Sequence, residues 1–144
     1  MTNPLGMTTL HFTLAPTRGY MPLITTPMSP VFELPFLSVT GLAAPSRGAQ
    51  ETCVWRLTLA PGAPGTVHSM DREEIFVAFA GRATVAIDGQ EIDLNAGDAF
   101  IVPAGELFSL ANPGSEPFSA VALAPVGGRA TLPGGDPFSP PWTE

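Results

Sequence analysis

The chain has 144 residues, of which 44% are hydrophobic and 13% charged, a composition that is typical of one globular domain and excludes a disordered chain. Its net charge of −7 argues against nucleic-acid binding, because neutralising phosphates requires a basic surface. It contains no lysine and one cysteine, Cys53, which excludes a Schiff-base lysine, an intrachain disulfide and a zinc cluster of thiolates.

Signals for targeting or membrane insertion are also missing from the sequence. Residues 1–17 have no positively charged leader, and Pro16 interrupts the apolar run that they contain. No apolar stretch approaches the ~20 residues needed to cross a bilayer. We therefore expect a cytoplasmic protein with no membrane partner.

The 17 prolines and 15 glycines favour a turn-rich β-barrel or sandwich, preceded by a proline-rich arm at residues 1–45. Closely spaced prolines forbid long central strands, so the arm is predicted to form short edge strands, best at 31–33 and 36–40. Another short strand is predicted around His11, which we expect to be exposed or at an edge rather than a ligand. The arm is too apolar for a solvated tail and must cover the barrel or a neighbouring subunit.

Residues 46–125 contain the predicted barrel. A strand is predicted at 52–59 from its β-branched and aromatic residues. Alternation places on one of its faces Cys53, Trp55, Leu57 and Leu59. Trp55 is large enough to form a cavity wall, although it could equally pack as core. Arg56, on the other face, is predicted to form a surface or interface ion pair or, alternatively, to meet an anionic substrate group.

Two β-type runs at 66–70 and 74–80 carry the strongest chemical feature of the sequence. Alternation places His68 and Met70 on one face of the first run and Glu74 at the start of the inner face of the second. We predict that the two runs pair as a hairpin across a polar turn. The imidazole and the carboxylate would then point into the same apolar interior.

The remaining strands are predicted at 82–87, 90–94, 99–102, 107–111 and 117–124. Asp88-Gly89 joins the first two through a type I′ turn, because both residues tolerate a positive φ. Residues 126–144 form a turn-rich tail, which Phe138 and Trp142 are predicted to pin to the barrel. No helix of convincing length is predicted.

The spacing of the residues between 62 and 81 resembles the first motif of the cupin superfamily, G-x5-H-x-H-x(3,4)-E-x6-G. Its positions are occupied here by Gly62, His68, Met70, Glu74 and Gly81. The partner motif, G-x5-P-x-G-x2-H-x3-N, is matched at Gly97, Pro103, Gly105, Phe108 and Asn112. The resemblance covers roughly residues 50 to 125. It implies an all-β fold, a single-domain cupin with a double-stranded β-helix or jelly-roll barrel.

The departures from these motifs concern the metal ligands. In metal-binding cupins the ligands come from His, His, Glu and His, and here the same places read His68, Met70, Glu74 and Phe108. A methionine sulfur is a soft ligand that pairs poorly with a carboxylate. Two histidines in the whole chain cannot build a three-histidine site within one subunit. We therefore expect no cofactor; the alternative is a divalent metal held by His68 and Glu74 with water, substrate or another residue.

The predicted site is an apolar pocket with one acid–base pair, which suits an aromatic or polyketide-like molecule better than a sugar or a phosphate. Its predicted walls are Trp55, Met70, Phe76, Phe100 and Phe108. The same side chains could instead fill the barrel, because small barrels either fill their interior or hold one small ligand. The run 74–80 is also apolar on its outer face, which indicates a covered surface. Cupin relatives commonly dimerise through such faces, so we expect a homodimer.

His68 is the side chain best suited to proton transfer, because its ordinary pKa is about 6.5. Glu74 would orient the imidazole and raise its pKa, whereas apolar burial would lower it. Alternatively, His68 is a packing residue and Glu74 a carboxylate hydrogen-bonded to the backbone. Glu73 would replace Glu74 if the register shifted by one residue.

We favour an enzyme: a metal-independent isomerase, dehydratase or cyclase that acts on a small hydrophobic molecule, as in secondary-metabolite tailoring. His68 would be its acid or base and Glu74 the residue that orients it. One alternative is a non-catalytic small-molecule-binding dimer. The other is a metal-dependent cupin with an incomplete His68 and Glu74 ligand set.

Overall fold

The computed structural model describes residues 3–7 and 21–144; His11 and the strand predicted around it lie outside these residues. Short 3₁₀ helices occur at Thr26–Met28, Pro45–Arg47 and Pro141–Thr143. The strands are β1 (Val31–Leu34), β2 (Leu37–Ala43), β3 (Thr52–Leu59), β4 (Ser69–Met70), β5 (Glu74–Ala80), β6 (Arg82–Ile87), β7 (Gln90–Asn95), β8 (Ala99–Val102), β9 (Phe108–Ala111), β10 (Phe118–Pro125) and β11 (Ala130–Thr131). None of the helices in this part of the chain has the length and apolarity needed to cross a membrane.

The strands form three antiparallel sheets. A six-stranded sheet has the order β1-β2-β3-β10-β5-β8, a three-stranded sheet has the order β7-β6-β9, and β4 pairs with β11. One hydrophobic core lies inside, with side chains contributed by both larger sheets. The architecture is the all-β jelly-roll barrel that the sequence predicts, because each sheet buries one face against the other.

The centre of the large sheet follows the predicted alternation. The residues of β3 that face the core are Cys53, Trp55, Leu57 and Leu59, all buried. On β10, Ala122 lies opposite Trp55 of β3 and opposite Phe76 of β5. A single methyl group therefore stands between two aromatic side chains, so β10 adds little bulk to the interior between them.

The turns follow local sequence signals as well. Asp88 and Gly89 have φ values of 51° and 73°, as a type I′ turn requires. Gly81 has a φ of 75°, and a Cβ added there would lie 2.2 Å from the carbonyl oxygen of Pro117. Both the positive φ at residue 81 and the close approach of the Pro117 carbonyl oxygen therefore require a glycine here.

Replacing Gly81 with alanine is expected to lower the free energy of unfolding by about 3 kcal/mol or more, because the left-handed conformation and the steric overlap both oppose the methyl group. Gly89→Ala is the matched control: its φ is 73°, but nothing lies within 4 Å of its added Cβ. Its loss should be about 1–2 kcal/mol. Urea denaturation of both variants measures the difference, and equal losses would contradict this account.

The predicted hairpin between 66–70 and 74–80 is wrong. Only Ser69–Met70 is a strand, and it pairs with β11, whereas β5 lies between β10 and β8. The intervening turn is tied to the tail: the Asp71 N–H donates to the Arg129 carbonyl at 2.9 Å, and the Arg129 N–H donates to Asp71 Oδ1 at 2.7 Å. The tail thus supplies the partner for β4, and the chain enters the large sheet only at Glu74.

The outer face of β5 and β8 remains open among the described residues. Val77, Phe79 and Ile101 are 41%, 52% and 58% exposed. The described part of the arm does not cover them, because β1 and β2 extend the sheet at the edge opposite β8. A cover over this face, and with it the homodimer, remains a prediction that the oligomeric state in solution would test.

The tail packs against the barrel through Phe138 and Trp142, each 9% exposed. Phe138 forms a β-bridge with Ala130, and the ring of Trp142 meets that of Phe32 edge-on at 6.1 Å between centroids. The tail therefore closes one side of the barrel interior.

Candidate active site

A cavity of about 410 Å³ lies inside the barrel, within the range of roughly 300–1,000 Å³ seen for small-molecule sites. Its lining is mostly apolar and comes from the arm, the two larger sheets and the tail. The exposed lining residues mark its mouth: Pro35, Phe36, Pro64 and Thr66. The mouth therefore lies between the β1–β2 turn and the loop that precedes β4.

His68 is held on the cavity wall by its backbone. It forms a β-bridge with Phe108, with N–H to carbonyl hydrogen bonds of 3.0 Å in both directions. Its Nδ1 lies 2.8 Å from the carbonyl oxygen of Thr66. Because a carbonyl oxygen can only accept, the neutral imidazole carries its proton on Nδ1. The Nε2 lone pair is then available, and no described residue hydrogen bonds to it.

Burial lowers the pKa of His68 below its ordinary value, and the hydrogen bond to the Thr66 carbonyl opposes this only in part. The imidazole is therefore neutral at pH 7. A neutral histidine with a free Nε2 can accept a proton from a bound molecule, so His68 has the state that a general base requires.

Phe108 and Phe76 form the aromatic wall beside the imidazole. The ring of Phe108 lies 4.5 Å from that of His68 between centroids, and the ring of Phe76 lies 5.7 Å from that of Phe108. Phe108 is only 1% exposed. These contacts limit the orientations that the His68 ring can adopt and shield its environment from water.

Glu74 is buried on the same cavity, at 3% exposure. Its Oε1 has no hydrogen-bond partner among the described residues. Burial raises the pKa of Glu74 from 4.5 to about 8, so the carboxyl group is mostly neutral at pH 7. The side chain is thus a carboxylic acid that lines the cavity and whose Oε1 has no partner among the residues that the structure describes.

The expected pairing of Glu74 with His68 is therefore wrong. The Thr66 carbonyl fixes the imidazole, and the pKa of His68 falls through burial instead of rising through a carboxylate. The alternative reading of Glu74 as a backbone-bonded carboxylate is wrong too, since its Oε1 has no partner within the described chain. Glu73 is exposed, so the shifted register does not occur.

Of the five predicted wall residues, four line the cavity: Trp55, Met70, Phe76 and Phe108. Phe100 is half-buried and packs against the core, but does not line the cavity. Arg56 is exposed on the outer face of β3, away from the cavity. Four of the five predicted wall residues therefore form part of the cavity wall.

Several lining residues were missed because they come from the arm and the tail. Phe36, Phe138 and Trp142 are the largest of them. Phe36 has a φ of 65°, which bulky residues rarely adopt, and such strained positions cluster at ligand-binding sites. Its place at the tip of a Pro-Phe turn was the one sequence signal that could have indicated an unusual role.

The fold and the site together define a jelly-roll β-barrel whose interior holds an apolar cavity lined by two ionisable side chains. Residues 55–124 match the family model described as Cupin domain. Residues 55–124 therefore form a small cupin domain, as the two motifs indicate. No curated protein matches it in sequence.

Solved structures share the fold at low sequence identity. The polyketide cyclase RemF from Streptomyces resistomycificus is 14% identical, with a TM-score of 0.67 over 74% of this chain and 80% of that chain. A sugar phosphate isomerase from Silicibacter pomeroyi is 19% identical, with a TM-score of 0.60 over 68% and 66%. The salicylate 1,2-dioxygenase from Pseudaminobacter salicylatoxidans is 19% identical, with a TM-score of 0.63 over 74% and 33%. These likenesses define the fold alone.

The residues present do not fit the metal that many cupins hold. No group of three His, Cys, Asp or Glu side chains that could hold a metal ion occurs among the described residues. The ring of Phe108, 4.5 Å from that of His68 between centroids, occupies the place of one histidine ligand, and Met70 replaces another with a soft sulfur that pairs poorly with a carboxylate. His68 and Glu74 alone supply too few donors to hold a metal ion.

Proposed function

We propose that this protein is a metal-independent cupin enzyme that binds a small hydrophobic molecule and uses His68 as a general base. The observation that carries the proposal is the apolar cavity of about 410 Å³, into which a neutral imidazole with a free Nε2 projects from a fixed backbone. Isomerisation, dehydration and cyclisation are the reactions that suit this arrangement.

In each reaction Nε2 removes a proton from the carbon next to a carbonyl group of the substrate, and the C–H electron pair forms an enolate. Returning the same proton at another carbon completes an isomerisation without any other reactant. For dehydration, the imidazolium returns its proton to a β-hydroxyl group, which leaves as water while the enolate electron pair forms the C=C bond. For cyclisation, the enolate carbon attacks a second carbonyl of the same molecule, and the imidazolium returns its proton to the alkoxide that forms. Proton transfer by a positioned base typically contributes about 10²–10⁴-fold in rate.

The cavity walls support the cyclisation in a second way. Rigid aromatic walls such as Trp55, Phe76 and Phe108 restrict the conformations of a flexible substrate, which brings reacting carbons together and lowers the entropic cost of ring closure. The fold shared with a polyketide cyclase agrees with this reaction class, although at 14% identity it carries no argument about substrate.

The second candidate function is that of a ligand-binding protein that catalyses no reaction. If His68 only packs against Phe108, the same cavity can still hold a ligand. Turnover separates the two candidates. A binder would take up a ligand and return it chemically unchanged.

The proposal is tested by incubating the purified chain with a panel of aromatic and polyketide-like ketones, with binding followed by thermal denaturation and products by mass spectrometry. Leu132→Trp is the occluded variant, because this half-buried residue lines the cavity and a larger ring there occludes the space. We expect a ligand that stabilises the wild type and not the variant, and a product formed only by the wild type. Stabilisation without product would favour the binder, and a panel without ligands would contradict the proposal.

A further inference from the structure

Glu74 has no function within the protein that explains its position. It is 3% exposed, its Oε1 lacks a hydrogen-bond partner in the described chain, and it does not orient His68. A buried polar group left unpaired lowers the stability of the fold. A residue that lowers stability in this way and lines a cavity is accounted for if its carboxyl group meets a polar group of a ligand there.

The other polar groups of the cavity restrict what that ligand can be. None of the arginines in the described residues lines the cavity, and the chain has no lysine. The imidazole Nε2 offers an acceptor, and a carboxyl group that is buried in an apolar cavity with no cation in its lining is neutral and offers a donor. An anionic ligand would find no counter-charge here, since the protein also carries a net charge of −7.

We propose that Glu74 donates a hydrogen bond to a carbonyl oxygen of the ligand, and that the cavity therefore selects uncharged ketones over carboxylates and hydrocarbons. The assignment rests on the proposed function, because it names the ligand class of the same cavity. A neutral carboxylic acid in an apolar site can hold a carbonyl oxygen in this way. The donor would also stabilise the negative charge that develops on that oxygen when His68 removes a neighbouring proton.

Equilibrium dialysis with three naphthalene probes of similar shape tests the assignment: 2-acetylnaphthalene, 2-ethylnaphthalene and 2-naphthoate. We expect the wild type to bind the ketone about 10-fold more tightly than the hydrocarbon, and the carboxylate most weakly. Glu74→Leu should lose the preference for the ketone while still binding the hydrocarbon. Glu74→Gln should keep most of the preference, because its amide N–H can donate to the same oxygen.

The outcomes separate this inference from the proposed function, because binding is measured without turnover. An unchanged ketone preference in Glu74→Leu, or tightest binding of naphthoate by the wild type, would overturn the role of Glu74 and leave the cavity as a ligand site. Absence of binding by all three probes would overturn the ligand site itself, and the inference with it. Thermal denaturation of each variant confirms that the chain is folded.

Discussion

The wild-type protein is expected to lose stability as the pH rises from about 5 to 8, and Glu74→Gln should remove most of that loss. The pKa of Glu74 is raised from 4.5 to about 8 in the folded state, because burial disfavours the charged carboxylate. Between these values the folded state binds more protons than the unfolded state. The free energy of unfolding therefore falls with increasing pH, by up to about 1.4 kcal/mol per pH unit.

Urea denaturation of both proteins at pH 5, 6.5 and 8 measures this effect. The difference in unfolding free energy, variant minus wild type, should increase by roughly 4 kcal/mol over the series. The lowered pKa of His68 destabilises the fold on acidification below about 6.5, but it does so in both proteins and cancels in the difference. Glu73→Gln is the control, because its exposed side chain remains in water when the chain folds. A pH-independent difference for Glu74→Gln would show that Glu74 is ionised in the folded protein.

Once a substrate is identified, His68→Gln is expected to lower kcat by about 10²–10⁴-fold, because glutamine can occupy the space but cannot accept a proton at neutral pH. The wild-type rate should be constant around pH 7 and should fall on acidification below pH 6.5, since the pKa of His68 lies below its ordinary value. Met70→Leu is the matched control: Met70 lines the same cavity and is 3% exposed, but takes no part in proton transfer.

Steady-state kinetics of the three proteins with one substrate distinguishes the possible roles of His68. An unchanged kcat in His68→Gln with a raised KM would make His68 a binding residue. Elemental analysis of the same preparations tests the metal-dependent alternative. Stoichiometric metal in the wild type that disappears in His68→Gln would overturn the metal-independent reading.

Local sequence patterns predicted the strands, because the formation of a strand depends mainly on residues that are close together in the sequence. The alternation of 52–59 specified both β3 and its buried face, and Asp88-Gly89 specified a turn with two positive φ values. The spacing of the two motifs indicated the barrel. The inner wall of the cavity followed from these elements, since side-chain direction within a strand has a period of two.

Alternation does not specify the partner of a strand, and this is where the sequence analysis was wrong. The sequence predicts that residues 66–70 pair with the run at 74–80, which follows directly. In the structure β4 pairs with β11, about 60 residues later in the chain. Pairings of this kind depend on how the whole barrel closes, which no short window of sequence contains. The part of the cavity wall that the arm and the tail contribute, including Phe36 and Leu132, has the same origin.

The sequence by itself determined a cupin barrel in which His68 and Glu74 face an apolar interior and two of the four metal ligands are replaced. Only the tertiary structure decided the environment of these two groups. The Thr66 carbonyl fixes the imidazole tautomer, Oε1 of Glu74 has no hydrogen-bond partner in the described part of the chain, and burial raises the pKa of its carboxyl group. The physical reason is that protonation states depend on hydrogen bonds and desolvation, which arise from contacts between distant parts of the chain.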